Sequence, residues 1–292
     1  MSFFLWIALP GIATGQTIAG QDNDPHEPAQ STPGSGLQYK TQTLTQTTDT
    51  LRVLCYNIHS GRGVDDVYDF RRIADVIIES RADLVALQEV DSGIERSGNV
   101  DMMEILAGYT GLKHLFYKNA EIQGGAYGNG ILVRHPLVEA ANIHLPRVAD
   151  SEQRGLMHTI VDVNGMPVAF MNTHLDHRPP DEERLKGIGV ILETAQNYAG
   201  MPVIVAGDLN DRPGSEVYQR MSSRFTDIWV EKGEGDGFTY HTTDPDRRID
   251  YIFFSNEGAV DAGYRLEPIS VEVLWSEGSD HLPLLAVFLI KK

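Results

Sequence analysis

The stretch that decides the fold is Pro202-Val203-Ile204-Val205-Ala206-Gly207-Asp208-Leu209-Asn210, an apolar run that ends in polar side chains. Turn-forming residues follow at 211–214, so the run predicts a buried strand that stops abruptly. Open α/β sheets place their functional sites at the carboxyl ends of such strands. On a strand extended as far as Asn210, the side chains of Asp208 and Asn210 would point to the same side. We therefore expect a polar site at this edge of a sheet.

The chain around this strand alternates between strand and helix patterns. Several strands follow one another without a helix, which favours antiparallel pairing, whereas residues 52–89 have a βαβ pattern. The sequence therefore predicts an α/β fold with mixed sheets. Strands are predicted at 52–57, 83–89, 113–117, 129–134, 156–163, 167–173, 202–206, 249–254 and 284–290, and helices at 69–80, 102–109 and 181–198.

Charge and cysteine content limit the classes of function. The chain has 41 acidic and 24 basic residues, a net charge of −17, and no obvious Lys/Arg cluster. This charge disfavours long nucleic acids as substrates but leaves short or damaged ones open. The single cysteine, Cys55, excludes an intramolecular disulfide and a zinc-cysteine site, and its apolar neighbours predict a core position.

The first fifty residues do not have the pattern of a folded domain. Residues 3–9 are apolar and small residues follow, which is typical of a signal peptide at 1–20, although no basic residue precedes Lys40. A disordered apolar tail is the alternative interpretation. Residues 21–50 are polar and predict a disordered linker, which leaves a folded domain at 51–292. Export would make the protein extracytoplasmic, either periplasmic or secreted.

Polar residues at the ends of the predicted strands form a candidate site. The chain has no Walker phosphate loop, no His-Glu-x-x-His and no serine in a nucleophile elbow. Carboxylate and amide oxygens instead suit Mg²⁺ or Mn²⁺, and these ions suit phosphoryl oxygens. Each residue alone is more typical of a turn or a helix cap, so the hypothesis rests on the set. The set is Asn57, Glu89, His174, Asp208, Asn210, Asp250, Asp280 and His281.

Six motifs in this order resemble the endonuclease/exonuclease/phosphatase superfamily, which includes deoxyribonucleases, abasic-site endonucleases, neutral sphingomyelinases and inositol-polyphosphate 5-phosphatases. The motifs are Tyr56-Asn57-Ile58, Leu87-Gln88-Glu89-Val90, Asn172-Thr173-His174-Leu175, Gly207-Asp208-Leu209-Asn210, Arg248-Ile249-Asp250-Tyr251-Ile252 and Ser279-Asp280-His281-Leu282-Pro283. The resemblance spans about 51–292. It implies a four-layer α/β sandwich of two mixed β-sheets flanked by helices, and a metal-dependent phosphoester hydrolase.

The resemblance also implies a role for each site residue. Glu89 would be the main ligand of Mg²⁺ or Mn²⁺, with Asn57 and Asp280 supporting the metal end. Asp208 would deprotonate the attacking water beside Asn210, and His174 would stabilise the scissile phosphate. His281, oriented by Asp250, would contact the phosphate or share the role of base. The chain departs from many family nucleases at His59, where they carry an acidic residue.

Three further segments resemble a bacterial branch similar to the carboxyl-terminal domain of the calcofluor-white-hypersensitive protein, which is linked to glycosylphosphatidylinositol lipid remodelling. They are 127–134, 91–97 and 152–155. We therefore expect a phosphodiesterase for a lipid headgroup or another small phosphoester, with Tyr127, Arg154 and Arg178 contacting the substrate.

Two alternatives remain open from the sequence. A magnesium-dependent endonuclease or exonuclease of the same fold would need a basic groove across the site. A non-catalytic binding module would usually have lost a metal carboxylate or a motif histidine, and all are present here. A monomer is the default expectation.

Overall fold

The computed structural model describes residues 50–148 and 150–292. The signal peptide expected at 1–20 and nearly all of the expected linker lie outside the described residues. No helix in the described part of the chain is long and apolar enough to span a membrane.

The described residues form twelve strands and five α-helices. The strands are β1 Thr50–Asn57, β2 Leu84–Ser92, β3 Lys113–Ile122, β4 Gly125–Val133, β5 Leu137–His144, β6 Gly155–Val163, β7 Met166–His174, β8 Val203–Asp208, β9 Thr226–Asp227, β10 Asp250–Ser255, β11 Arg265–Val273 and β12 Leu284–Lys291. The helices are α1 Phe70–Ser80, α2 Met102–Thr110, α3 Glu182–Gln196, α4 Glu216–Ser222 and α5 Ile228–Lys232.

The strands form two six-stranded mixed sheets. The first has the order β11-β12-β1-β2-β4-β3 and the second β5-β6-β7-β8-β10-β9. Pairing is parallel between β1 and β2 and between β7 and β8, and the other named pairs are antiparallel. The two parallel pairs lie near the middle of their sheets, so each sheet directs two central strand ends toward one edge.

The alternation of side chains along the central strands produces four layers. In β8, Ile204 and Ala206 face the core between the sheets, while Val203 and Val205 face the cluster that contains α3. The first sheet does the same, because α1 and α2 pack against its outer face. Both faces of these strands are apolar because both are buried. The fold is the predicted four-layer α/β sandwich, and Cys55 is fully buried in its central core.

Three strands escaped prediction, namely β5, β9 and β11, and each lies at the edge of a sheet. β5 carries Glu139 and Asn142 and is largely half-buried or exposed, so it lacks a clear apolar pattern. β11 includes Pro268 at a break in its pairing with β12, which is where an edge strand tolerates proline. Pairing with a neighbouring strand, rather than local composition, gives these segments their extended conformation. The short helices α4 and α5 were also missed.

A buried polar contact joins the sheets directly beneath the predicted site. The Asn172 side-chain amide donates to the carbonyls of Leu87 (2.9 Å) and Gly130 (2.8 Å). Its oxygen accepts a hydrogen bond of 2.7 Å from the side chain of Gln88. Asn172 and Gln88 are both fully buried. The contact fixes β7 of one sheet against β2 and β4 of the other.

Candidate active site

The predicted site residues meet at one edge of both sheets. Asn57, His174 and Asp208 end their strands there, and Asp250 begins β10 beside Asp208, its register partner. Asp280 and His281 lie just before β12, where the Ser279 hydroxyl donates to the Asn57 carbonyl (2.7 Å). The structure therefore brings together residues that are more than two hundred positions apart.

Glu89 reaches this edge through an irregularity in β2. The β2–β4 register shifts between Leu87 and Val90, and Glu89 has the left-handed φ of 58°. A β-bulge of this kind redirects a side chain out of the strand's alternation, and such backbone strain is concentrated at functional sites. The Asn57 amide donates to Glu89 Oε1 (3.0 Å) and to Asp208 Oδ2 (3.0 Å), so it joins the two carboxylates.

Asn210 reaches the site by a different route from the one predicted. The strand ends at Asp208, and Asn210 has a left-handed φ of 50°, so the two side chains do not share a strand face. Instead, the Asn210 backbone N–H donates to Asp208 Oδ1 (2.7 Å). Its side-chain amide donates to the Leu175 carbonyl (3.0 Å) and lies 3.0 Å from His174 Nε2. The predicted proximity is correct, but its reason is a tight turn.

Asp208, Asp250 and His281 form the buried centre of the site. His281 Nδ1 donates to Asp250 Oδ2 (2.9 Å), and its Nε2 lies 3.8 Å from Asp208 Oδ2. One potential ligand atom from each of the three residues lies within 4.8 Å of the others. Asp250 Oδ1 has no hydrogen-bond partner among the described residues.

Burial and mutual charge shift the pKa values of this centre. Burial, reinforced by the negative charge of Asp250, raises the pKa of Asp208 to about 7. Burial alone would lower the pKa of His281, but the carboxylates of Asp250, Asp208 and Asp280 outweigh it and raise that pKa to about 10. His281 is therefore a cation at neutral pH, and Asp208 can bind and release a proton near neutrality.

His174 has the opposite character. It is buried, and burial together with the positive charge of Arg154 holds its pKa well below the usual range. Arg154 Nη1 lies 3.0 Å from His174 Nδ1, and a guanidinium can only donate. His174 Nε2 lies 3.5 Å from Asp208 Oδ2 and 3.0 Å from the side-chain amide nitrogen of Asn210, so a donor group faces each ring nitrogen. His174 therefore contributes a buried, uncharged ring to the site.

The site opens into a cleft of about 490 Å³. Of the residues predicted to contact substrate, Arg154 lines this cleft, whereas Tyr127 and Arg178 are not among its lining residues. Tyr127 is buried beside Arg154 and under the Arg96 guanidinium (5.5 Å), and Arg178 is bound to the Asp176 carboxylate (3.2 Å). Contact of Tyr127 and Arg178 with a substrate therefore stays a prediction.

Sequence reasoning missed several residues that line the cleft, chiefly His177, Arg212, Tyr240 and Arg247. The Tyr240 ring lies 4.8 Å from the His281 ring, centroid to centroid. Arg212 and Arg247 stand two residues after Asn210 and three before Asp250, so their closeness to the motifs was a usable signal. Tyr240 had none, because its position depends on pairing with distant chain segments.

The profile of the endonuclease/exonuclease/phosphatase family matches residues 54–281, and the chain belongs to this family. Nucleases, phosphatases and phosphodiesterases are all members, so the chain is placed among the phosphoester hydrolases. No curated protein matches the sequence at a significant level.

Solved structures agree on the fold. An endonuclease/exonuclease/phosphatase from Beutenbergia cavernae DSM 12333 is 24 % identical with a TM-score of 0.68, covering 83 % of this chain and 72 % of its own. The catalytic domain of human Nocturnin with bound sulfate is 23 % identical with a TM-score of 0.66, covering 83 % and 94 %. A mannosyl-6-phosphatase from Bacteroides thetaiotaomicron VPI-5482 is 18 % identical with a TM-score of 0.66, covering 82 % and 99 %.

Proposed function

We propose that the chain is a Mg²⁺- or Mn²⁺-dependent phosphodiesterase for a small phosphoester such as a lipid headgroup. One observation carries the proposal. A buried carboxyl whose pKa is raised to about 7, Asp208, lies between a histidine cation and a neutral histidine at the base of an open cleft. Such a trio can remove a proton from water and hold a phosphoryl group.

The donor set fits a divalent cation. Among the described residues, Asn57 is the one hydrogen-bond donor to the Glu89 carboxylate, so most of its oxygen lone pairs are available. Asp280 lines the same cleft. Glu89 would hold the ion with support from Asn57 and Asp280, and all three offer the hard oxygens that Mg²⁺ and Mn²⁺ prefer. When bound, the ion supplies the positive charge that offsets repulsion between an anionic ester and its nucleophile.

The proton transfer belongs to Asp208. Asn57 and the Asn210 backbone N–H hold its carboxylate by hydrogen bonds of 3.0 and 2.7 Å, which fix its direction. A base with a pKa near 7 is matched to work at neutral pH. Asp208 would accept the proton of the attacking water.

The two histidines bind the phosphoryl group from different sides. His281 is held by Asp250 and presents a positively charged Nε2–H. His174 is a neutral ring held between the Arg154 guanidinium and the Asn210 side-chain amide. Charge-assisted hydrogen bonds to the phosphoryl oxygens strengthen as negative charge accumulates on them in the transition state.

Charge and size support a small substrate. Beside its arginines the cleft carries Glu89, Asp280 and Asp211, so it is neither a continuous basic groove nor a uniformly negative rim. A nucleic-acid duplex, itself a polyanion, would also be repelled by the chain's net charge of −17. A lipid headgroup or another small phosphoester fits a volume of about 490 Å³.

Turnover of three substrates tests the proposal. Phospholipid and sphingomyelin vesicles, a small phosphodiester and supercoiled plasmid are each incubated with Mg²⁺, Mn²⁺ or EDTA. We expect hydrolysis of the lipid or the small diester that stops in EDTA and in His281→Ala, with the plasmid intact. Plasmid nicking that stops in His281→Ala would replace the proposal with a nuclease, and no metal-dependent turnover of any phosphoester would overturn it.

A further inference from the structure

Two arginines line the cleft without a part in the proposed proton transfer. Arg212 and Arg247 lie on its rim, with side chains 60 % and 38 % exposed. Arg154, the third arginine of the cleft, is already engaged with His174 and Glu152. In a chain with a net charge of −17, two accessible guanidinium groups beside the catalytic centre call for a ligand of opposite charge.

The backbone holds Arg247 at a fixed distance from the centre. Tyr240 forms an antiparallel bridge to Arg247 and another to His281, so the three residues lie side by side. The Arg247 guanidinium lies 4.8 Å from the Tyr240 ring centroid, and the Tyr240 and His281 ring centroids are also 4.8 Å apart. The Arg247 guanidinium is therefore no farther from the His281 ring, which binds the phosphoryl group, than the sum of these two distances.

Arg212 joins Arg247 through one shared carboxylate. Asp246 Oδ1 accepts from Arg247 Nε (2.6 Å), and Asp246 Oδ2 lies 3.6 Å from Arg212 Nη2. The nearby Asp211 carboxylate is instead 3.3 Å from Arg184 Nε. One carboxylate between two guanidinium groups leaves a net positive charge on this part of the rim. Guanidinium groups bind phosphate oxygens in a bidentate manner, which makes phosphate the best-matched ligand.

We propose that Arg212 and Arg247 form a subsite for a second phosphate group, so that the chain prefers phosphoesters carrying two phosphates a few bonds apart. The inference rests on the proposed function, because the first phosphate is the one at His281 and His174. The second phosphate would displace part of the Asp246 contact and sit across the Tyr240 ring from the reacting group. It could come from a free bisphosphorylated metabolite or from a lipid headgroup.

Steady-state kinetics with paired substrates test the subsite. An Arg212→Ala/Arg247→Ala variant is compared with wild type on a phosphodiester that carries a second phosphate and on its analogue without one. We expect KM for the first substrate to rise about tenfold or more, with kcat and the second substrate changed less than about twofold. Equal effects on both substrates, or no effect on either, would overturn the subsite.

Arg71→Ala is a matched control. Arg71 also donates through Nε to an aspartate, Asp75 (2.7 Å), and its guanidinium also lies over a tyrosine ring, that of Tyr109 (5.2 Å). It lies on α1 and does not line the cleft. Exposed ion pairs of this type contribute little to stability, so both variants should fold normally. An Arg71→Ala variant with the same rise in KM would contradict the proposal.

A binding measurement separates this inference from the proposed function. Propane-1,3-diylbisphosphonate and propylphosphonate, which cannot be hydrolysed, are titrated calorimetrically into both proteins. We expect wild type to prefer the bisphosphonate about tenfold and the double variant to lose that preference, even if no ester is turned over. A preference that is absent in wild type, or that survives in the variant, would contradict the subsite. The bisphosphorylated substrate is also offered both free in solution and as a lipid headgroup on vesicles. The physiological source is the one for which the double variant loses more kcat/KM relative to wild type.

Discussion

Asp208 is fully buried beside a second carboxylate. This environment raises its pKa, which suits a general base, but burial of the ionised carboxylate also destabilises the fold. Its folded pKa, about 7, is above the ordinary value of 3.8. The folded state therefore binds the proton more tightly than the unfolded state. The contribution of this group to stability is full below about pH 4, falls as the pH rises toward 7 and stays low above it.

Asp208→Asn should therefore stabilise the metal-free protein while it abolishes turnover. The gain at pH 8 should be on the order of 1.4 kcal/mol or more, since that is the value of one pKa unit, and it should shrink at pH 5. Thermal unfolding in EDTA at both pH values measures it, with the exposed Asp261→Asn as the control. A variant less stable than wild type at pH 8 would mean that the ionised Asp208 carboxylate does not destabilise the folded state.

At the scale of the strand, the bulge in β2 should make glycine a more stable replacement than alanine at position 89. At a φ of 58° the left-handed backbone at Glu89 costs a side-chain-bearing residue about 1–2 kcal/mol, and glycine avoids this cost. We expect Glu89→Gly to be more stable than Glu89→Ala by about 1 kcal/mol, with both variants inactive.

Urea denaturation of a matched pair tests the bulge. Glu139 is an exposed glutamate within β5 and does not have a left-handed φ. At this position we expect the glycine variant to be less stable than the alanine variant. Glu89→Ala as stable as Glu89→Gly would show that the strand adopts a regular conformation in solution.

Strands with both faces buried could be predicted from the sequence, whereas of the four edge strands only β3 was predicted, and only its first half. β8 has an unbroken apolar run, and its polar end lies where the other predicted site residues converge. β5 and β11 have no such run, because one edge of each is unpaired and their side chains are partly in solvent. The left-handed conformation of Glu89 also left no signal, since a glutamate rarely adopts it.

The site residues could be predicted where a motif surrounded them. The structure placed Tyr240 beside both His281 and Arg247 through bridges between loops, and no local pattern encodes such pairing. Conversely, the motif-based prediction of substrate contact for Tyr127 did not foresee that packing would bury this ring. Sequence determined which strand ends converge, and long-range packing determined which other side chains line the cleft.

At the scale of the whole molecule, the Asn172 contact holds the two sheets in the alignment that the site requires. Asn172→Leu would remove the hydrogen bonds to the Leu87 and Gly130 carbonyls and take away the acceptor of the Gln88 side-chain amide. We expect a loss of about 2 kcal/mol or more in the free energy of unfolding, because buried polar groups without hydrogen bonds are costly. Urea denaturation measures it, and Asn142→Leu, on the partly exposed β5, should cost much less. Similar losses in the two variants would contradict this role.

Calorimetric titration of Mn²⁺ into wild type and Glu89→Gln is the most direct test of a metal-dependent hydrolytic site at this edge of the sandwich. Glutamine keeps the shape of the side chain but removes the charge that would hold the ion. We expect wild type to bind Mn²⁺, Glu89→Gln to bind it at least about tenfold more weakly, and the exposed Glu139→Gln to bind like wild type. Equal Mn²⁺ affinity in wild type and Glu89→Gln, or no binding by wild type, would contradict the account.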